Sequence, residues 1–494
     1  MPLLLGRSSN LTRKLNLGLV MILSKLRKLG DSTSVSGAKQ VYLFIENFLR
    51  NIVKLCRTKF ILQGEYYYAT IIADTSSPKD LFKTVDFLSN KQKCAILPNY
   101  SCHTELSERF SLYFSKKISK FCTMLNRQGL HLSANCLTEP LPASSFDSFS
   151  EATEDEILKI IKNSPSKSCM LDPLPTWLAK GCSAELILLI TNIVNTSMST
   201  GTVPDSFKVA HVTPVLKKTS LDRNCLKNYR PISNLSFVSK VLEKTVLSRL
   251  MDYLTQENLL EPYQSAYKSG HSTETALNAV HNFITSKLDE DCFVLLVLLD
   301  LSSAFDTVNH SILLERLQSK YRLGGTVLSW FNSYITERYQ QVKIEDVLSS
   351  PRPLVTGVPQ GSVLGPVLFS LYLAELSDII RHHGVHFHHY ADDTQLLLAF
   401  DKDDVPNAFH KMETCISAVN TWLTTNQLKL NCDKTEFIVF RYVSLKLHLI
   451  FHHLLLVKTL LISPQLLETL VHILTRPCHL KITLLSSSFC KLAT

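Results

Sequence analysis

No Cys-X-X-Cys pair occurs among the thirteen cysteines of this 494-residue chain, and their spacings form no framework. That absence argues against zinc knuckles and disulfide scaffolds and leaves reduced thiols in an intracellular compartment as the expectation. Long hydrophobic runs are missing too. Stretches such as Phe293–Leu299 and Leu454–Val457 fall far below the ~20 residues needed to cross a bilayer, so no membrane partner is expected. No secretory signal is read at the N-terminus. Acidic residues are scarce at the start: residues 1–60 hold eleven Lys and Arg against Asp31 and Glu46. The net charge of +9 is therefore an N-terminal property, and the remainder is close to neutral. That basic segment suits a phosphate backbone or, equally, a solvated helix face.

What is present is enough apolar material, 45% of residues, to build two or three structural units. Residues 1–138 read as a basic, largely helical extension without a catalytic cluster. The turn formers of 139–152, from Glu139 through Phe149 and Ser150, mark a linker. Thr153 and Glu156 then form a capping-box pattern ahead of Ile157, Leu158, Ile160 and Ile161, so a helix is expected to open the next unit. From there to Phe440, helix-period and strand-like segments alternate without repeats, as an α+β domain requires. Residues 441–494 differ abruptly: sixteen of fifty-four are Leu, Glu468 is the one acid, and Gly, Asn, Asp, Met and Trp are absent. Two explanations stand for this tail, an unusual Leu-rich helical end or a shift of reading frame near Arg441.

Three segments of the 153–440 unit carry chemistry. The run Phe293–Leu299 has no period-two alternation, so it reads as a strand buried on both faces, with Asp300 emerging at its end. Leu301 through Asp306 is expected to turn into one helix reaching about Lys320. Gly357-Val-Pro-Gln-Gly361 reads as a loop feeding an apolar helix over Val367–Leu376, where glycines let backbone approach a flat base or a sugar. Tyr390-Ala-Asp-Asp393 reads as a strand-turn-strand tip. Consecutive strand side chains point to opposite faces, so Asp392 is assigned with Asp300 as a metal ligand and Asp393 as a weaker ligand or electrostatic support. One carboxylate at a strand end and two at a neighbouring hairpin tip suit a pair of Mg²⁺ ions clamping an in-line phosphoryl transfer. The five histidines between His382 and His389 are read as lying on the strand leading into this hairpin, without the companion cysteines of a zinc site.

Taken together, residues from about Asn51 to Phe440 resemble the linker and reverse transcriptase region of a non-LTR (LINE-type) retrotransposon polyprotein. The motifs that carry the resemblance run in order: Leu171-Asp-Pro-Leu-Pro175, Asn228-Tyr-Arg-Pro-Ile-Ser233, Tyr263-Gln-Ser-Ala-Tyr267, Leu299-Asp-Leu-Ser-Ser-Ala-Phe-Asp306, Gly357-Val-Pro-Gln-Gly361, Tyr390-Ala-Asp-Asp393 and Asn431-Cys-Asp-Lys-Thr435. The resemblance implies an RNA-directed DNA polymerase with an α+β right-hand core of fingers and palm, using an RNA template, a DNA primer and dNTPs. It implies two Mg²⁺ ions, replaceable by Mn²⁺, on the catalytic carboxylates Asp300, Asp392 and Asp393. Phe305 matches the aromatic that excludes a 2′-hydroxyl. Arg230 matches a fingers residue that meets the triphosphate, and Lys434 a basic residue near the departing pyrophosphate. Gln360 and Gly361 match the loop supporting the nascent pair and template. Cytoplasm and nucleus are the compartments the resemblance implies. Residues 1–50 supply none of the acidic and His residues of the endonuclease that usually precedes the linker. The tail falls where the family builds a thumb, so the thumb is expected to be truncated or atypical. The alternatives to the polymerase are an inactive nucleic-acid-binding remnant and a related enzyme that makes RNA.

Overall fold

A computed structural model describes residues 96–126 and 144–441, apart from residues 167, 168, 170 and 173. The basic segment 1–60, the boundary at 138 and the tail from residue 442 lie outside the described residues.

The first described helix, α1 (His103–Asn126), carries Leu106, Phe110 and Phe114 at four-residue spacing, which puts them on one face. α2 (Glu154–Asn163) opens at the expected cap, where the Thr153 hydroxyl accepts the Glu156 N–H at 3.2 Å. The Glu156 carboxylate completes no box and instead pairs with Arg249 at 2.7 Å. α3 (Thr176–Gly181), α4 (Ser183–Thr200), β1 (Val209–Leu216), β2 (Tyr229–Asn234), α5 (Phe237–Gln256), α6 (Thr273–Asp289) and β3 (Phe293–Leu299) follow.

The single helix expected after Asp300 is two, α7 (Ala304–Thr307) and α8 (His310–Ser319). Asn309 is the reason: its side-chain oxygen accepts the N–H groups of Ser311 and Ile312 and starts a new helix where the old one would have continued. Then come α9 (Gly325–Ile335), β4 (Arg338–Ile344), β5 (Val347–Leu348), β6 (Arg352–Leu354), α10 (Gly365–His382), β7 (His386–Tyr390), β8 (Asp393–Phe400), α11 (Val405–Thr425) and β9 (Glu436–Phe440). The apolar helix read over Val367–Leu376 is thus longer at both ends. The histidines do not share one strand: His382 ends α10, His383 caps it, and His386, His388 and His389 lie on β7.

The strands form two sheets. One is four-stranded in the order β7-β8-β3-β9, all neighbours antiparallel. Its centre, β3, explains the unbroken apolar run: Leu295, Val297 and Leu299 face the main core, whereas Val294 and Leu296 pack with Val280 and Ile284 of α6. The other sheet has β1 between an antiparallel β2 and a parallel β4, with β5 and β6 added on β4. Its backing is a separate small core of Leu106, Phe110 and Phe114 from α1 with Val212, Tyr229, Val342 and Ile344. The described part of the turn-rich stretch, 144–152, lies against the main body, where the Phe146 N–H donates to Arg322 O at 3.0 Å and Phe146 stacks on Tyr253. No described helix is long and apolar enough to cross a membrane.

Candidate active site

Asp300 leaves β3 at the edge where the β7–β8 hairpin turns. Leu299 pairs with Thr394, so one further residue of register sets Asp300 across from Asp393. Asp393 begins β8 opposite Tyr390, and Asp392 sits in the turn beside Ala391, whose φ is +58°. Of the three, Asp393 is the most open to solvent, while Asp300 and Asp392 are half-buried. Burial raises the Asp392 carboxyl above the usual carboxylate range, and the negative charge of Asp300 adds to that rise. Asp393 is raised by burial and by both other acids. The three therefore share one field and resist being charged together.

Cationic and amide groups answer that field from several elements. The Asn431 amide donates to Asp300 at 2.6 Å, and the Asn431 backbone N–H donates to Asp300 O at 2.8 Å. Lys434 holds its ammonium 3.3 Å from both oxygens of the same carboxylate. Arg230 lies exposed on β2, close enough to lower the Asp392 carboxyl. Lys217, which follows β1, has its ammonium lowered first by burial and then by the charges of Lys117, Lys434 and Arg230. Arg230 and Lys434 thus act on the triad, whereas Lys117 of α1 and Lys217 act on Asp306.

The Gly357–Gly361 loop is bound on two sides. Gly357, at φ +85°, passes so near the Phe305 and Asp306 carbonyl oxygens that a Cβ would stand 2.7 Å from each. Gly361, at φ +114°, would place a Cβ 2.6 Å from Ser233 O on β2. Backbone bonds follow these approaches: Val358 N–H to Phe305 O at 2.9 Å, and Ser233 N–H to Gln360 O at 2.7 Å. The Gln360 amide donates to Asp306 at 2.6 Å. Phe305 is half-buried and stacks on Phe369 with ring centroids 4.8 Å apart. Where the loop enters α10, the fully buried Glu243 of α5 accepts the N–H groups of Val363 at 2.6 Å and Leu364 at 3.1 Å, and the Tyr334 hydroxyl at 3.0 Å.

Of the eight residues singled out in the sequence, Asp300, Asp392, Asp393, Arg230 and Lys434 share one field, whereas Phe305, Gln360 and Gly361 come together at the 357–361 loop. Lys217, Gln264, Asp306, Asn431 and Glu243 were not singled out. Gln264, Asp306 and Asn431 stand inside the quoted motifs, so their place in the motif was a usable signal. A lysine after a strand and a glutamate within a helix offered none. Two of the β7 histidines turn inward: His388 meets Ser265 at 2.9 Å, and His389 meets Ser377 at 3.2 Å and Thr394 at 2.9 Å. Their ring nitrogens are engaged by hydroxyls.

Among the described residues no group of three His, Cys, Asp or Glu side chains stands close enough to hold one ion, the triad included. Asp300 instead takes the Lys434 ammonium, which supplies the positive charge that this donor set attracts. Hard carboxylate oxygens, one of them already drawing a cation, fit Mg²⁺ or Mn²⁺.

Comparison with known proteins agrees with this geometry. Residues 215–459 match the family Reverse transcriptase (RNA-dependent DNA polymerase). The chain is 28% identical over 291 residues to the probable RNA-directed DNA polymerase from transposon BS of Drosophila melanogaster, covering 57% of this chain and 31% of that one. It is 27% identical over 320 residues to the RNA-directed DNA polymerase from mobile element jockey of the same species, covering 62% and 34%. The Pol polyprotein of the type-1 retrotransposable element R2 of Popillia japonica matches at 25% over 258 residues, covering 49% and 34%. The chain spans about a third of the length of these relatives. Over residues 215–459 the chain is thus similar to the reverse transcriptase family, and the relatives it resembles are RNA-directed DNA polymerases and a Pol polyprotein of mobile elements.

Proposed function

We propose that this chain is an RNA-directed DNA polymerase core that extends a DNA primer 3′-hydroxyl along an RNA template with dNTPs, releasing pyrophosphate. The observation that carries the reading is the placement of Asp300, Asp392 and Asp393 in one field at the end of β3 and the β7–β8 turn, with Arg230 and Lys434 acting on them and Lys217 beside these bases. In this reading the four-stranded sheet is the palm and the five-stranded sheet the fingers. Two divalent cations bound to the three carboxylates would neutralise the attacking and leaving oxygens of an in-line displacement.

The protein's own groups divide the remaining work. Arg230 and Lys217 bind the triphosphate, where a guanidinium fork and an ammonium suit phosphate oxygens. Lys434 stands by the departing pyrophosphate. Gln360, its amide fixed by Asp306, supports the nascent base pair, and Gly361 lets the loop lie flat on β2. Phe305 presents its open face to the sugar and excludes a 2′-hydroxyl, so Phe305→Val is expected to raise ribonucleotide use relative to dNTPs. The basic segment 1–60 adds sequence-independent grip on RNA.

Extension of oligo(dT) on poly(rA) by the purified chain tests the reading. Extension that requires Mg²⁺ or Mn²⁺ and vanishes in a folded Asp392→Asn variant is expected. A parent chain without extension, or a variant that still extends, sinks it. In the first case, salt-dependent RNA binding that persists would favour a silent nucleic-acid-binding remnant.

A further inference from the structure

The Tyr263–Tyr267 segment lies along the catalytic hairpin as an additional short rung. Gln264 bridges His389 in parallel register, with the His389 N–H donating to Tyr263 O at 2.8 Å and the Ser265 N–H to His389 O at 3.1 Å. The Ser265 hydroxyl meets His388 Nε2 at 2.9 Å, which fastens the rung to β7 by a side chain as well. From this fixed backbone the Gln264 side chain reaches the turn. Its Oε1 accepts the Ala391 N–H at 3.1 Å, and its Nε2 donates to Ala391 O at 3.3 Å. The same Oε1 accepts the Ala266 N–H at 2.9 Å, so the amide is anchored at its own base.

Ala391 needs such a brace. Its φ of +58° is left-handed, a region glycine enters freely and alanine does not. Asn and Asp offset this conformation with a short polar side chain, which alanine lacks. Asp392 is the next residue, so the direction of its carboxylate is set by Ala391, whose N–H and C=O, in successive peptide groups, Gln264 both grips. The Ala391 N–H and C=O sit at a turn where no ladder bond is available to them in the hairpin register, which ends at Tyr390 and Asp393.

We propose that Gln264 is a positioning residue for the polymerase reaction: by closing a two-bond ring with Ala391 it holds the left-handed turn that aims Asp392. The proposal rests on the polymerase reading above, but part of its test does not. A glutamine that merely filled space in the loop would leave the turn unchanged when shortened. One that holds the turn has a specific cure, because glycine at 391 adopts positive φ without the steric cost and needs no brace.

Three proteins decide it: the parent, Gln264→Ala, and Gln264→Ala combined with Ala391→Gly. Hydrogen exchange of the full chains, read on the peptide spanning residues 388–394, is the arm independent of activity. Gln264→Ala is expected to speed exchange there at least tenfold, with distant peptides unchanged. Primer extension is expected to lose at least tenfold in kcat with KM for dNTP within twofold of the parent, and the double variant to regain most of the kcat. Unchanged exchange at 388–394 overturns the brace. Exchange accelerated across the whole protein, or a double variant no more active than Gln264→Ala, reduces Gln264 to an ordinary structural contact. If the parent extends no primer, the polymerase reading falls while the exchange arm still decides whether Gln264 holds the turn.

Discussion

The two sheets of this protein solve opposite electrostatic problems. The four-stranded sheet must bring acids together, and it does so on its stiffest strand: β3 is buried on both faces, by the main core and by α6. The five-stranded sheet has to extend bases outward, and it does so from thin ends, with Arg230 exposed on β2 and Lys217 just past β1. Its backing is a single helix and a small aromatic core. Groups that repel one another need rigid scaffolding, whereas groups that reach for a ligand tolerate a lighter one. The Gly357–Gly361 loop joins the two by bonding to Phe305 on one side and Ser233 on the other.

The largest effect expected from this division lies in the lighter sheet. Phe110 is fully buried and packs against Phe114 and Tyr229, with centroids 5.7 and 5.0 Å away. Phe110→Ala should cost about 3–5 kcal/mol, as large-to-small changes at buried aromatics do. Because that core is separate, the loss should fall on the five-stranded sheet. Hydrogen exchange should quicken over β1, β2 and β4 and stay slow over β3 and β8. Equal loosening of both sheets would erase the distinction.

A smaller effect belongs to the bases. Charge-assisted hydrogen bonds are worth roughly 1.5–3 kcal/mol, so Arg230→Ala should raise KM for dNTP about 10- to 100-fold. Lys217→Ala should act in the same direction. Neither change should alter the exchange rates of the four-stranded sheet. A fall in kcat with KM unmoved would place these bases in the chemical step instead of in binding.

How much of this could be read beforehand depended on whether the signal was local. The continuous Phe293–Leu299 run, the glycines of the 357–361 loop and the Tyr390–Asp393 tip each state their structure within a few residues. The structure agrees with the strand and the tip, while the loop glycines approach the protein's own carbonyl oxygens of Phe305, Asp306 and Ser233 instead of a base or a sugar. The break at Asn309 was also local, since asparagine is a strong helix cap, but the apolar spacing of Leu313, Leu314 and Leu317 masked it. The backing role of α1 was not local at all: Phe110 meets Tyr229, more than a hundred residues away. The same holds for Glu243, whose partners are the Val363 and Leu364 N–H groups, and for the grip of Gln264 on Ala391. Motif position marked Gln264, but only the folded register says which peptide it meets.

His389 of β7 makes the four-stranded sheet sensitive to acid. Burial, first, and then the charges of His388 and Arg381 push His389 down to about 3, so the folded protein keeps it neutral. The unfolded chain binds that proton near the ordinary value of about 6.5. Acid therefore favours unfolding: the contribution is full above about 6.5 and is lost as pH falls toward 3. At pH 5 the loss from this residue is about 2 kcal/mol. A His389→Gln variant can still bond the Ser377 and Thr394 hydroxyls but cannot titrate. Its urea stability should drop less than the parent's between pH 7 and pH 5. Parallel losses in the two proteins would assign the acid sensitivity elsewhere.

The smallest effect expected returns to the acids, where function and stability oppose one another. Without a divalent cation, burial and then the charge of Asp300 strain the Asp392 carboxylate in the folded state, and neither acts on it in the unfolded chain, where only its neighbour Asp393 stays close. Asp392→Asn removes one charge and keeps the side chain's shape. It should raise the melting temperature of the cation-free protein by about 1 °C for a gain near 1 kcal/mol in a chain of this size. Mg²⁺ should raise the parent's melting temperature by binding the folded state, and raise that of the variant much less. The sign is the point. If Asp392 were an ordinary solvated turn residue, the substitution would leave the melting temperature within error and Mg²⁺ would act on both proteins alike. A fall in melting temperature would mean that Asp392 is held by favourable contacts, and the contrast between an acid-strained sheet and a base-bearing one would no longer stand.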